Sequence, residues 1–259
     1  LNTEQILEQN GLNWNVVKKP LFYTGKEINT FGVMGVMQKS TPFYGIVRQE
    51  IAGENDLEIV KAIPLNGGRK IVIQMKKPNN IINIGDQETE QYIYAINGHD
   101  GTTSLKFGFM NKVIFCQNQF AWLSGNAFSG YKHTKSIQDK VKQLPSILNF
   151  VDQENKIADL QMFSNQSATH GLVNDLIDHL TKTDRLATVK DMSSRKQNMI
   201  YDIAHCIDSE MSRISHTKWG VFNGITKYTT HQKSSPNREY GQQESILTGS
   251  CGKMNEKAF

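Results

Sequence analysis

Cysteine is scarce in this chain. Cys116, Cys206 and Cys251 are the only three in 259 residues, and they stand far apart. No C-x-x-C pair and no Cys/His cluster at zinc spacing occurs, which argues against a structural zinc site and a disulfide scaffold. A sparse, odd cysteine count fits a reducing cytosol. Long apolar runs are missing too. None approaches the ~18 residues of a membrane-spanning helix, and Leu1-Asn2-Thr3-Glu4 lacks the charged-then-apolar layout of a signal segment. Charge of one sign is also lacking. Lys and Arg number 29 against 25 Asp and Glu, a formal net of +4. The pI of about 8.8 falls short of the values above ~9 that mark an evident nucleic-acid binder. This balance permits an anionic partner without requiring one. G-x-G-x-x-G, Walker A and H-E-x-x-H are absent, which removes the common nucleotide-cradle and zincin readings. The expectation is a soluble cytoplasmic protein without a membrane segment, of one large domain or two small ones.

What is present is a set of short strand-like stretches followed by helical periodicity. After an opening helix stopped by Gly11, strand-length runs occur at Trp14–Lys18, Leu21–Tyr23, Phe31–Met37 and Phe43–Arg48. The turn signal Asn66-Gly67-Gly68 leads into a strand over Arg69–Lys76, and a second strand covers Gln91–Ile96. A tight connection, Asn97-Gly98-His99-Asp100-Gly101, leads to a third strand over Thr102–Phe109. Asn111-Lys112 reads as a turn before a fourth strand, Val113–Cys116. Short connections of this kind predict an antiparallel meander. On the third strand Leu105, Phe107 and Phe109 share one face and Ser104, Lys106 and Gly108 the other, so one face is expected to be core and the other wet.

Beyond residue 130 the period becomes 3.6. A helix is expected from Thr134 to Phe150, interrupted by Pro145. A second runs from Thr169 to Leu180. The strongest runs from Arg195 to His216, with Met199, Ile200, Ile203, Ile207, Met211 and Ile214 as its stripe. Trp219, Phe222, Ile225 and Tyr228 mark a further amphipathic helix, and a last short one lies near Lys253–Phe259. Strands first and helices second predict an α+β fold: a mainly β portion over 1–130 and a mainly helical portion over 131–259, packed together.

Three constellations can carry chemistry. His99 and Asp100 at a hairpin turn could act as an acid/base pair, with Cys116 as nucleophile and His133 beside them. The same residues equally read as hairpin chemistry and a buried thiol. A metal site drawing on His99, Asp100, His133 and His231 has no closely spaced pair to nucleate it, so no metal and no cofactor is expected. The basic residues are more suggestive. Arg69, Lys70, Lys106, Lys112, Arg195, Lys196 and Lys227 flank strands and helices, with Tyr92, Tyr94, Phe107, Phe109 and Trp122 among them. Cations beside aromatic platforms suit single-stranded nucleic acid, where phosphates are neutralised and bases stack. After His216, Lys218, Lys227, Lys233, Arg238, Lys253 and Lys257 outnumber Glu239, Glu244 and Glu256. Asp175, Asp178, Asp202, Asp208 and Glu210, mixed with cations on helices, read as solvated helix surface.

Several of these segments together resemble a known family. Gly98-His99-Asp100-Gly101-Thr102-Thr103-Ser104, Val113-Ile114-Phe115-Cys116-Gln117-Asn118 and Lys132-His133-Thr134 are similar to the phage/plasmid-like protein family, domain-of-unknown-function family 932. So are Leu12–Val16, Gly67–Ile71 and the run from Trp219 through Asn223 to Tyr228. Gly249-Ser250 with Lys253 and Ala258 fits as well. Gly98 departs from the family's usual Ser. The resemblance implies a mobile-element origin in bacterial cells and a cytoplasmic setting. The order of elements is also similar to that of phage single-strand annealing proteins of the RecT, Redβ and Erf kind, an analogy of architecture only.

The expectation is therefore a non-enzymatic protein that binds single-stranded DNA and promotes annealing or recombination as a homo-oligomer. His99, Asp100, Cys116, Asn118, His133 and Thr134 would then chiefly fix the hairpins and the sheet-to-helix junction. The alternatives are a nucleic-acid- or nucleotide-acting enzyme using His99, Asp100, Cys116 and His133, and an anti-defence or structural interaction protein.

Overall fold

Ile71-Val72-Ile73 and Ile93-Tyr94-Ala95-Ile96 are apolar at both strand parities, so neither of the two faces they present can stay in water. The computed structural model describes residues 21–23, 26–28, 57–65, 70–76, 79–98, 103–122, 150–183, 192–234 and 240–259. Strands β1 (Leu21–Tyr23) and β2 (Lys26–Ile28) form an antiparallel pair. A six-stranded antiparallel sheet follows: β3 (Glu58–Leu65), β4 (Lys70–Lys76), β5 (Ile81–Ile84), β6 (Gln87–Gly98), β7 (Lys106–Val113) and β8 (Gln119–Trp122). Its order is β3-β4-β6-β7-β8, and the short β5 pairs with the start of β6.

Both faces of this sheet are buried. On the first, Ile71, Ile73, Ile93, Phe107, Phe109 and Phe120 pack against helical Leu160, Trp219 and Phe222. On the second, Ile63, Val72, Tyr94, Ile96 and Met110 pack against Ile246, Leu247 and Cys251. The expected wet face on the Lys106 side is thus corrected. Gly108 and Met110, between Lys106 and Lys112, are buried, and the two lysines themselves are half-buried.

The hairpin β7–β8 also differs from expectation. Asn111 and Lys112 lie within β7, in register with Gln91 and Glu90. The turn falls on Ile114–Gln117, where a strand was expected, and Gln117 takes a left-handed φ of 58°. The hairpin closes through Val113 N–H donating to the Asn118 carbonyl at 3.0 Å and Gln117 N–H to the Val113 carbonyl at 2.9 Å. Tertiary pairing of Asn111 and Lys112 overrides their local turn preference.

Six helices make up the described C-terminal half: α1 (Phe150–Ser164), α2 (His170–Thr181), α3 (Ser194–Arg213), α4 (Lys218–Lys227), α5 (Gly241–Thr248) and α6 (Ser250–Ala258). A π turn, Tyr228–Gln232, continues α4. Thr169 caps α2, its hydroxyl accepting from Leu172 N–H at 3.2 Å. Thr217 does the same for α4 at Gly220. A helical core of Ile177, Ile203, Ile207, Val221, Ile225 and Met254 joins α2, α3, α4 and α6. The architecture is α+β, strands first and helices second. The expected opening helix, the runs at 14–18, 31–37 and 43–48, and the helix from Thr134 lie outside the described residues.

α4 is the centre of the helical half. Every residue from Trp219 to Thr226 is buried, although its sequence pattern is amphipathic. Gly220 and Gly224 permit this burial. A Cβ on Gly224 would stand 2.4 Å from the Ile207 Cα, and one on Gly220 would stand 2.1 Å from the Ser215 carbonyl oxygen. The buried polar residues are satisfied inside the helix: Asn223 Nδ2 donates to the Trp219 carbonyl at 3.1 Å and Thr226 Oγ1 to that of Asn223 at 3.0 Å.

Candidate functional site

The β7–β8 turn inserts between α3, α4 and the π turn. Asn118, fully buried, donates from Nδ2 to the Asn223 carbonyl at 3.3 Å. This bond ties the hairpin to the central helix. Trp219, also fully buried, stacks on Phe222 with ring centroids 6.0 Å apart and meets Phe120 edge-on at 6.1 Å. Tyr228 closes the helical core, and burial pushes its phenol above the ordinary value.

Cys116 is half-buried at the tip of the turn. Burial raises its thiol pKa. The Asn118 backbone N–H and the Arg213 guanidinium work against that without cancelling it. The thiol therefore stays protonated at neutral pH, the opposite of an activated nucleophile. His231 lies close, but its Nε2 meets the Cys116 carbonyl at 3.2 Å rather than the sulfur. Beside them Glu210 is only 1% exposed and held by two cations. Arg213 pairs with it directly, and Lys227 Nζ lies 3.1 Å from its carboxylate. Lys227 also donates to Ser209 Oγ at 2.8 Å. Glu210 thus belongs to the interior, a correction to its reading as solvated surface.

His99, Asp100, Gly101, His133, Thr134 and Arg69 lie outside the described residues. Of the other expected cations, Lys70 is paired with Glu244 at 3.4 Å and Lys227 with Glu210. Lys196 Nζ donates to the Lys182 carbonyl at 2.9 Å, closing the C-terminus of α2 as a cation there should. Lys106 and Lys112 stand at opposite ends of β7, roughly 20 Å apart at ~3.3 Å per residue. Lys112 faces Glu90 in register. Arg195 is exposed at the start of α3. These residues form no single row across the sheet. The aromatic platforms are corrected as well: Tyr92, Tyr94, Phe107 and Phe109 are all core, at most 8% exposed, so no base can stack on them.

The exposed aromatic rings lie elsewhere. Phe115, at the tip of the hairpin, is 78% exposed, and the Arg213 guanidinium lies 5.0 Å from its centroid. Tyr201 on α3 is 70% exposed and stacks on His205, with centroids 6.2 Å apart and planes within 2°. Sequence reasoning missed both. Tyr201 carries a visible signal, since it is an aromatic residue off the phase of the apolar stripe on its helix. Phe115 carries none, because Ile114-Phe115 looks like part of a strand. Among the described residues no group of three His, Cys, Asp or Glu side chains could hold a metal ion. Nor is any helix among them long and apolar enough to cross a membrane.

The family model described as a domain of unknown function (DUF932) matches residues 38–249. The chain belongs to the DUF932 family. No curated protein and no solved structure matches it. The match to the DUF932 model spans the whole six-stranded sheet and α1 to α5, so the Asn118–Asn223 tie between hairpin and central helix falls within the family's region.

Proposed function

We propose that this DUF932 protein binds single-stranded nucleic acid without sequence preference and serves annealing or recombination on a bacterial mobile element, in the cytoplasm. One observation carries this reading. The two most exposed aromatic rings of the described surface, Phe115 and Tyr201, lie against the guanidinium of Arg213 and the imidazole of His205, both on one helix. α3 also begins with the exposed Arg195. Aromatic faces for stacking beside cations for phosphates are the parts that sequence-tolerant single-strand binding uses. Tyr201 and Arg213 lie roughly 18 Å apart along the axis at 1.5 Å per residue and about 120° apart around it at 3.6 residues per turn, so the strand would wind about α3 and not cross the sheet. A formal charge of +4 gives one chain little long-range attraction, and repetition of this face in a homo-oligomer would supply the rest.

Fluorescence anisotropy with labelled oligo(dT) and oligo(U) tests the reading and separates DNA from RNA. Binding should weaken steeply between low and high salt. Tyr201→Ala and Phe115→Ala should each weaken it by about tenfold, from ~1–3 kcal/mol per stacked base. No binding at low salt would overturn the proposal and favour a protein-interaction module.

A further inference from the structure

Among the described residues β8 is an outer edge of the six-stranded sheet. Asn118 and Phe120 pair their backbone groups with β7, so Gln119 turns its N–H and C=O outward. The π turn after α4 supplies their partner. Gln119 N–H donates to Thr230 Oγ1 at 3.0 Å, and the same hydroxyl donates back to the Gln119 carbonyl at 3.3 Å. One side chain thus serves Gln119 as the backbone of a further strand would. The next residue, His231, donates from Nε2 to the Cys116 carbonyl at 3.2 Å. Together they grip the hairpin tip on both sides of Gln117. The π turn is itself anchored. It closes through Lys233 N–H on the Tyr228 carbonyl at 2.7 Å. Thr229 Oγ1 donates to Asn255 Oδ1 of α6 at 2.8 Å, and Asn255 Nδ2 reaches the Gln119 carbonyl at 3.4 Å.

We propose that Thr230 and His231 are positioning residues that hold Phe115 ready to stack on a base, an inference that rests on the single-strand reading above. Phe115 is 78% exposed, so little packing fixes its direction. The Arg213 guanidinium lies 5.0 Å from its centroid, but Arg213 is also drawn to Glu210. The rest of the ring's aim comes from the backbone that carries it. Cys116, the residue that follows Phe115, is the one His231 holds, and Gln119, where β8 starts, is the one Thr230 holds. A ring already aimed gives up less freedom when a ligand stacks on it, which raises affinity without any new contact. π turns inside helices are rare and recur at functional sites. Here the turn joins the central helix to the hairpin tip that carries the exposed ring.

A double-mutant cycle on the full chain tests this. Thr230→Val keeps the shape of the side chain and removes both bonds to Gln119. It should weaken oligo(dT) binding about fivefold, and Thr230→Ser, which keeps the hydroxyl, should restore it. In the Phe115→Ala background Thr230→Val should cost nothing further, whereas its effect should add to that of Tyr201→Ala. A general loss of structure would add to both. 4-Fluorophenylalanine placed at position 115 gives a readout that needs no nucleic acid. Its fluorine resonance should narrow in Thr230→Val and move towards that of the free amino acid. His231→Leu, at an exposed position, should repeat both results and takes over if Thr230→Val does not fold. An unmoved fluorine resonance would overturn the positioning role, and so would an equal cost of Thr230→Val with and without Phe115. A parent chain that binds no oligonucleotide would overturn the single-strand reading and, with it, any part of the π turn in binding. That failure is distinct, because the fluorine resonance would still respond.

Discussion

At the scale of single residues, Glu210 is a buried carboxylate held by two cations. Its carboxylate is 1% exposed, whereas the partner side chains Arg213 and Lys227 remain 30% and 29% exposed. The asymmetry decides which substitution hurts. Glu210→Gln releases two cations that can turn back to water, so its cost should stay near ~1.5–3 kcal/mol, the range for one lost charged hydrogen bond. The double variant Arg213→Met/Lys227→Met strands a buried carboxylate, which costs about 3–5 kcal/mol. Urea denaturation of both variants checks the order. An equal cost for the two would mean that Glu210 is not the buried member of the network. Cys116 gives a second residue-scale expectation. With its thiol held protonated by burial, it should react with iodoacetamide more slowly at neutral pH than a free thiol does. Arg213→Met, which removes a group that favours the thiolate, should slow it further. Faster alkylation than glutathione would revive the nucleophile reading.

At the scale of elements, α4 shows where local preference and packing part. Alanine is the better helix former by about 1 kcal/mol, so helix propensity alone favours Gly224→Ala. The added methyl would stand 2.4 Å from the Ile207 Cα, a backbone atom that cannot yield without moving α3. Overpacking of this kind costs about 1–3 kcal/mol or more, so the variant should be destabilised on balance. A thermal melt decides the sign, and an unchanged or raised melting temperature would mean that α3 and α4 do not pack this closely. The same helix shows what the sequence conceals. Its apolar spacing was legible, but its burial on all sides was not, because Asn223 and Thr226 look solvent-facing until their bonds back to the helix carbonyls are seen. β4 and the core of β6 were legible because their apolar runs are long and bounded. β3 went unread because Pro64 interrupts it, and β5 because four residues carry little pattern. α5, with Gln242, Gln243 and Glu244 in its first turn, shows almost no amphipathic signal. The β7–β8 hairpin was misplaced because Asn111-Lys112 resembles a turn while the actual turn uses Gln117 at positive φ. Of the candidate site, Asn118 and Asn223 were legible as motif members. Their contact across 105 positions of sequence, and the exposure of Phe115 and Tyr201, needed the fold.

At the scale of the whole molecule, one thiol and three phenols of the interior share one direction. Burial lifts Cys206 to about 11, and it also raises Tyr94 in the sheet core and Tyr228 in the helical core. Tyr92 is raised by burial and then by its bond to Glu90 at 2.6 Å. In the unfolded chain cysteine ionises near ~8.5 and tyrosine near ~10. Each of these groups holds its proton more tightly when folded. Its contribution to stability is therefore complete below the unfolded value and is lost as pH rises from there towards the folded value, at about 1.36 kcal/mol per pH unit per group. The chain should show no loss from these groups up to about pH 8, a first decline from Cys206 above ~8.5, and a steeper one above ~10 as the tyrosines join. The tyrosines lie in the second-face core and the helical core, and Ala258 packs against both the first-face and the helical clusters. Alkaline loss should therefore appear as melting of sheet and helices together rather than fraying of one half. Circular dichroism melts from pH 7 to 11 check this, with Cys206→Ala as the control. That variant should melt lower overall because it leaves a small cavity, but its melting temperature should fall less between pH 8.5 and 10 than that of the parent. A parallel decline of the two curves would show that Cys206 ionises in the folded chain as readily as in the unfolded one, and that the interior between α3 and α4 is wetter than its packing indicates.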